Sequence, residues 1–293
     1  MISLKDLEFL SALARRRHFA RAAEDCGVSQ PAFSMRIRKI EERLDTPIVR
    51  RGNRFLGFTA EGEALIRHAR SIVEDVKAME QEFRSAKGEL TGRINIGVIP
   101  TAVVFAARVV NTVRQHHPGI TFGLYTATSL AIQQGIENGS YDAGFTYGEG
   151  VAPDLLRIED IYAETYLLLA PAALAPRLER EVTWAEASEL PLSLLEPGMM
   201  NRRIIDQVFA EQGLVPQVVA ETSGFVASME LAAQGLAATI APRILIESFG
   251  GLRNTVALPL VEPTLEKQVS LVTPLRDPRL PTVQALRRIV QNA

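Results

Sequence analysis

The first 60 residues carry a dense series of helix-boundary signals, which constrain the fold more than any other feature of the chain. Ser3 is placed to cap a first helix. An alanine-rich second helix over 20–26 is expected to end at Gly27, because glycine adopts a left-handed backbone without strain. Ser29 then caps a third helix over 30–44. Short helices joined by one tight turn predict a helix-turn-helix unit.

The third helix has two distinct faces. The face expected to be buried consists of Phe33, Ile37, Ile40 and Leu44. On the polar face Gln30 can pair bidentately with adenine, and Arg36 can contact guanine or phosphate, if the N-terminal turn enters a major groove. The residues expected to contact DNA here are Ser29, Gln30, Pro31, Ser34, Met35, Arg36, Arg38 and Lys39.

A short hairpin follows this helix. Residues 48–51 and 55–56 read as two strands around the turn 52–54, which makes the unit a winged helix-turn-helix. Arg51 and Arg54 in this wing suit phosphate or minor-groove contacts.

The charge of the chain is divided unevenly. Residues 1–60 hold twelve Lys and Arg against seven Asp and Glu, a net charge of +5, whereas the whole chain has −2 and the remainder therefore −7. A basic head suggests a polyanionic partner, although a solvated basic surface gives the same count. The early charges and the lack of a long apolar run predict a cytoplasmic protein without a signal peptide or membrane span.

A heptad pattern follows the wing. After a cap at Thr59, apolar residues recur at steps of four and three through a helix expected over 59–87. The seam consists of Leu65, Ala69, Ile72, Val76, Met79 and Phe83. It would pair two chains and thereby space two recognition helices, or else it packs on the body of its own chain.

Several short segments together carry a resemblance to a known family. They are residues 19–23 (Phe-Ala-Arg-Ala-Ala), 28–34 (Val-Ser-Gln-Pro-Ala-Phe-Ser), 37–41 (Ile-Arg-Lys-Ile-Glu), Arg51 and 58–62 (Phe-Thr-Ala-Glu-Gly). This order resembles the signature of LysR-type transcriptional regulators and covers the first domain. Cys26 stands where the family usually has Leu, and it is either a small buried residue or a reactive thiol.

The body beyond a hinge at 88–92 alternates strands and helices, which predicts a parallel α/β sheet. Its order resembles the two-lobed LysR-type effector domain, which is similar to periplasmic binding proteins. The expected fold class is therefore α plus α/β. The expected domains are a winged helix-turn-helix over 1–58, a linker helix over 59–87, the hinge, and an effector domain over 93–293, with lobe I at about 93–161 and 267–293 and lobe II at about 162–266.

The resemblance also implies a site for a small effector between the lobes. The residues at matching positions are Pro100, Thr101, Thr128, Ser129, Thr146, Tyr147, Gly198, Asn201, Arg202, Ser223 and Phe225. Helix N-termini with Arg202 as a counter-charge would suit an organic anion. Alternatively, Thr128 and Ser129 only cap a helix, and Arg202 pairs with an acidic residue.

Other chemistry finds little support in the sequence. There is no phosphate-binding glycine loop and no nucleophile elbow, and the four histidines have no metal-ligand spacing, so neither an enzyme nor a cofactor or metal is expected. The peroxide-sensing branch of the resembled family uses paired cysteines, whereas this chain has one. Expected partners are promoter DNA, an effector, RNA polymerase and copies of the chain in a dimer and a tetramer. A small-molecule-binding protein or an α/β enzyme without specific DNA binding remains the alternative.

Overall fold

The computed structural model of the chain describes residues 1–51, 55–86, 90–152, 154, 156–174, 180–275 and 280–292. Before residue 90 the described elements are helices and one short hairpin, and after it strands and helices alternate. The N-terminal elements enclose one hydrophobic core, and the later elements form the cores of two lobes. This arrangement confirms the predicted fold class.

The N-terminal elements are α1 (Leu4–Arg16), α2 (Phe19–Asp25), α3 (Gln30–Leu44), β1 (Val49–Arg51), β2 (Phe55–Phe58) and α4 (Ala60–Ser85). Ser3 caps α1 reciprocally with Asp6. Gly27 has the expected left-handed backbone, with φ of 66°. Ser29 caps α3 through the Ala32 amide, and α3 has the predicted bounds.

Two predictions about these helices need correction. The second helix begins at Phe19 and ends at Asp25, one residue earlier at each end than expected. Leu44, expected in the core, is 38% exposed. The helix ends beside it at Asp45, where φ is 46°, so its last turn extends beyond the core that Phe33 and Ile37 share.

Helix α4 packs tightly on the wing that precedes it. Ile66, Ala69 and Val73 belong to the N-terminal core. A methyl group added to Gly62 would lie 2.2 Å from the backbone oxygen of Ile48. The first turn of α4 and the chain entering β1 can therefore approach this closely only because residue 62 has no side chain.

The first lobe begins with β3 (Gly92–Val98), a 3-10 turn (Pro100–Ala102), α5 (Val103–His116), β4 (Ile120–Thr126), α6 (Ser129–Glu137), β5 (Ala143–Tyr147) and the long strand β6 (Leu156–Pro171). The second lobe contains β7 (Val182–Thr183), α7 (Trp184–Ser188), β8 (Pro191–Leu195), α8 (Met200–Glu211), β9 (Gln217–Thr222), α9 (Phe225–Ala233), β10 (Thr239–Pro242), α10 (Arg243–Ser248) and β11 (Thr255–Val261). The chain then returns to the first lobe through β12 (Glu266–Pro274) and α11 (Pro281–Val290).

The sheets are mixed rather than parallel, which corrects the expectation from alternation. The main sheet has the order β4-β3-β5-β12-β6-β11-β7, with β10 also paired to β6. Strand β3 is parallel to β4 and β5, whereas β12 is antiparallel to both β5 and β6. The returning strand β12 enters the sheet in the opposite direction, and strand alternation along the sequence does not encode that reversal.

Strand β6 also changes the expected lobe boundary at residue 162. Its first half pairs with β12 in lobe I, and its second half pairs with β10 and β11 in lobe II. The boundary between the lobes therefore lies within one continuous strand. Elements β7, α7, α10 and β11 were not predicted, because they are short or, in β11, interrupted by Pro259.

We predict that Gly62→Ala lowers the free energy of unfolding by about 1–3 kcal/mol, because the added methyl group would force α4 away from the Ile48 carbonyl. Urea denaturation of the full chain measures the change. Gly224→Ala is the matched control, since a methyl group there meets nothing within 4 Å. Equal stability of the two variants would contradict the tight packing of α4 against the wing.

Candidate functional site

The N-terminal half of α3 presents a continuous exposed surface. Gln30, Met35, Arg38 and Lys39 are exposed on it, and Ser34 is half-buried. Ser29 and Pro31, in the cap and first turn, are exposed as well. The sequence-predicted DNA-contact residues therefore lie together on one side of the helix, apart from Arg36. An exposed helix with a polar N-terminal turn and two cations behind it can enter a major groove.

Aromatic packing holds α3 from behind. The ring of Phe33 is fully buried and stacks on Phe9 of α1 at 4.9 Å between centroids. Phe19 of α2 meets the same Phe33 ring edge-on at 6.1 Å. Because each of the three helices contributes one ring, the exposed surface of α3 rests on a rigid support.

Arg36 is committed inside the domain rather than to its surface. Its Nε donates to Asp6 Oδ1 at 2.7 Å, and its guanidinium lies 5.3 Å from the centre of the Phe9 ring. Asp6 also receives bonds from Ser3 and Arg43. Burial raises the pKa of Asp6, but the bonds from Ser3 and Arg36 outweigh it and hold the pKa below its ordinary value. The structure thus gives Arg36 a positioning role instead of the expected base contact.

The wing is anchored to α3 by one carboxylate. Glu41 Oε1 accepts from the backbone N–H groups of Ile48 and Val49, at 2.9 and 3.0 Å. Strands β1 and β2 pair in the expected hairpin, which places the backbone of Arg51 opposite Phe55. The side chain of Arg51 and the whole of Arg54 lie outside the described residues.

Helix α4 has an exposed apolar stripe. Within the predicted seam Ile72, Met79 and Phe83 are exposed, at 45%, 61% and 66%. Leu65 and Val76 are half-buried, whereas Ala69 is buried in the core of its own chain. One end of the seam is thus used within the chain, and the other faces outward.

The opposite side of α4 contacts lobe I. Arg70 Nη1 donates to the backbone oxygen of Glu137 at the end of α6, at 2.6 Å. Gln81 accepts from the hydroxyl of Thr282 in α11, at 3.2 Å. The DNA-binding unit is therefore linked to the first lobe at two points along one continuous helix.

A small cavity lies where the two lobes meet. Its volume is about 10 Å³, and its lining residues are Ile99, Pro100, Thr101, Thr128, Ser129, Tyr147, Leu195, Met199, Met200 and Asn201. Six of the eleven residues expected at the effector site line it. The cavity lies beside the first turns of α6 and α8, as the resemblance implies.

A buried carboxyl group, which sequence reasoning missed, lies behind the cavity wall. Glu164 of β6 is 2% exposed, and its Oε1 accepts from the hydroxyls of Tyr147, at 2.6 Å, and Tyr166. The Tyr147 hydroxyl is 3.3 Å from Thr101 Oγ1. Asn201 Nδ2 donates to the Tyr166 hydroxyl at 3.4 Å. One network therefore joins residues of both lobes.

Burial controls the protonation of this network. It raises the pKa of Glu164 above the ordinary carboxyl value, even though the bonds from Tyr147 and Tyr166 oppose the shift. The pKa values of both tyrosines are raised well above normal, first by burial. The uncharged forms of all three groups are favoured. The available sequence signal was the alternation of Tyr162, Glu164 and Tyr166, which puts a carboxyl between two phenols on one strand face.

The other expected effector residues lie elsewhere. Arg202 is 8% exposed, and its guanidinium is bound by Asp206, Glu221 and the Leu195 carbonyl, so the acid-pairing alternative describes it. Thr128 caps α6 through the Ala131 amide, whereas the Ser129 hydroxyl has no partner among the described residues. The remaining positions do not line the cavity: Thr146, Gly198, Ser223 and Phe225.

Two other kinds of site were searched for in the described ranges. No helix there is long and apolar enough to cross a membrane. The same residues contain no group of three or more His, Cys, Asp or Glu placed to hold a metal ion. Cys26, at the end of α2, is half-buried, and burial raises the pKa of its thiol, which disfavours the reactive thiolate.

Two family descriptions match the chain. Residues 4–63 match the bacterial regulatory helix-turn-helix protein of the lysR family, and residues 87–293 match the LysR substrate binding domain. The DNA-binding transcriptional dual regulator OxyR of Escherichia coli strain K12 is 28% identical over 298 residues, covering 98% of this chain and 95% of that protein.

Solved structures share the fold over the full length. A full-length OxyR variant from Pseudomonas aeruginosa has a TM-score of 0.79 at 20% identity, covering 99% of this chain and 98% of that one. Full-length CbnR complexed with its target DNA has a TM-score of 0.64 at 19% identity, covering 99% of both chains. At these identities the likeness establishes the fold.

We predict that Arg36→Ala destabilises the chain by about 1–3 kcal/mol, because it removes the closest charged donor of the buried Asp6 carboxylate. Arg38→Ala, an exposed change two residues away, should stay within about 0.5 kcal/mol of the parent. Urea denaturation near neutral pH measures both. Equal effects of the two variants would refute the positioning role of Arg36.

The same comparison has a pH dependence with a fixed sign. The folded pKa of Asp6 is lowered, so its stabilisation is complete above the ordinary carboxyl pKa of about 4 and is lost as the pH falls through the folded value. The difference between the parent and Arg36→Ala should therefore shrink on acidification. A difference that grew toward low pH would contradict an ionised Asp6 in the folded state.

Proposed function

The chain belongs to the LysR family of bacterial helix-turn-helix regulators, and from this premise we propose how its residues recognise DNA, assemble and respond to an effector. It is a DNA-binding transcriptional regulator with an effector-binding domain, and not an enzyme. The single observation that carries the DNA-binding proposal is the exposed face of α3, held by buried rings and flanked by a paired wing. We place its action in the cytoplasm, at promoters and beside RNA polymerase.

Base recognition is assigned to the N-terminal turn of α3. Gln30 can read adenine bidentately, while Arg38 and Lys39 suit the phosphate backbone. Ser29, Pro31, Ser34 and Met35 complete the contact surface. Arg51 and Arg54 remain proposed wing contacts to phosphate or the minor groove. Arg36 supports this surface from behind through Asp6.

Dimerisation is assigned to α4. The outward stripe that contains Ile72 and Met79 is apolar, and water-exposed apolar area of this kind favours association. A two-fold pair of α4 helices would set the spacing of two recognition helices on a pseudo-palindromic operator. Contacts between effector domains would then build a tetramer.

Effector sensing is assigned to the cavity between the lobes. A ligand that prefers one arrangement of the lobes shifts the population toward it. Because α4 contacts lobe I through Arg70 and Gln81, a change in the lobes can reach the DNA-binding units. The expectation of an organic anion rested partly on Arg202, which two carboxylates already bind. A sensor based on an intrachain cysteine pair is excluded, because the chain has one cysteine.

We predict tight, salt-dependent binding of the purified full chain to the DNA just upstream of its own gene. The logarithm of affinity should fall linearly with the logarithm of salt concentration, since phosphate contacts release counterions. Fluorescence anisotropy against a scrambled duplex measures specificity. Equal weak affinity for both duplexes would leave only a basic surface and reopen the small-molecule-binding or enzyme alternatives for this chain's own activity.

Gln30→Ala should relax base choice at one operator position and cost about 1–3 kcal/mol there. Binding to a panel of single-base operator variants measures this change. Arg108→Ala, an exposed change on α5 of lobe I, is the control and should leave base choice unaltered. A uniform loss on every sequence would mark Gln30 as a positioning contact instead.

The double variant Ile72→Asp with Met79→Asp should dissociate the chain toward smaller species, because each charge would be buried in an apolar seam. Sedimentation velocity at several concentrations measures the assembly. Val215→Asp, at a position 89% exposed and far from α4 in sequence, is the matched control. An unchanged sedimentation profile would assign dimerisation to another surface.

A further inference from the structure

The chemistry around the inter-lobe cavity is set by buried oxygen atoms. Within the described residues, Glu164 Oε2, Asn201 Oδ1 and Ser129 Oγ have no hydrogen-bond partner. Asn201 lines the cavity and is 3% exposed, and Glu164 is 2% exposed. An unpaired buried oxygen costs stability that a bound donor recovers. Two of these three atoms are pure acceptors when Glu164 is ionised, and the third is a hydroxyl that can accept.

No described lining residue offers a positive charge. The lining is apolar or neutral and polar throughout. Arg202, on the neighbouring turn of α8, is already bound by Asp206, Glu221 and a carbonyl oxygen. An entering carboxylate would therefore lose its hydration without gaining a cation, which is costly in a buried site.

The chain also supplies its own carboxyl where an anion would otherwise sit. Thr101, in the 3-10 turn, and Asn201, in the first turn of α8, both bond to the phenols that hold Glu164. The weakly positive ends of these helical segments are thus associated with an internal carboxyl. A second carboxylate beside it would be opposed by like charge, or by the need to protonate Glu164 fully.

We infer that the effector enters this cavity with a hydrogen-bond donor, such as an ammonium, an amide N–H or a hydroxyl group, and not with a carboxylate. The donor completes the free acceptors of Glu164 and Asn201. A cavity of about 10 Å³ accepts a group of roughly the size of one water molecule, so the donor is a compact anchor. This inference rests on the proposed role of the cavity as the effector site.

Methyl-labelled methionine provides a local readout in the full-length protein. Met199 and Met200 line the cavity, whereas Met35 on α3 and Met79 on α4 lie outside it. Methylammonium, acetamide and acetate are titrated separately at constant ionic strength, and methyl resonances are followed by NMR. We expect methylammonium and acetamide to shift the Met199 and Met200 signals, with acetate at least about tenfold weaker.

Glu164→Gln tests the residue itself. The amide keeps an oxygen for the two phenols but replaces the free acceptor with a donor, so the preference for methylammonium over acetate should be lost or reversed. Glu230→Gln, which removes the same charge from the exposed side of α9, should keep the parent's preference. A Glu164→Gln protein that kept the parent's preference would overturn the assignment to Glu164.

The titration distinguishes failure of the inference from failure of the proposed function. Acetate binding as tight as acetamide binding, seen at Met199 and Met200, overturns the donor inference and leaves the cavity as an effector site. If no probe shifts these signals, both the inference and the proposed site are overturned. Specific DNA binding, measured on the same preparation, stands or falls independently.

Discussion

Strand β6 limits how the two lobes can move, because it belongs to both. Its first half pairs with β12, and its second half pairs with β10 and β11, so neither lobe can leave the other without bending this strand. Glu164 lies in its middle and gathers hydroxyl groups from both lobes. The covalent connection and the polar network therefore coincide, and a small group bound beside Glu164 acts at the point where the lobes meet.

The sequence predicted most of the elements, for physical reasons that can be named. Local signals sufficed where a boundary depends on one side chain, as with Ser29 capping α3 and Gly27 ending the preceding turn. They failed where the outcome depends on the return of a distant segment, as with the antiparallel entry of β12. Leu44 fits the helical period but lies beyond the core, because periodicity gives a direction and not the extent of the neighbouring surface.

The candidate site was predictable in place but only partly in chemistry. The resemblance located Thr101, Thr128, Tyr147 and Asn201 on one cavity. Arg36 and Arg202 have side chains that suit DNA and an anion, yet both are bound by carboxylates of the same chain. Charge type is visible in a sequence, whereas the partner that neutralises a charge is set by folding. Glu164 was missed for the same reason.

The close approach at Gly62 has a mechanical consequence. The wing, α3 and the first turn of α4 share backbone contact, and they move with the linker helix as one lever. A helix of 26 residues is about 39 Å long. A rotation of roughly 10° at the lobe end would carry the far end through roughly 7 Å, or about two base-pair rises along DNA. Small motions between lobes would therefore be read as changes of register on the operator.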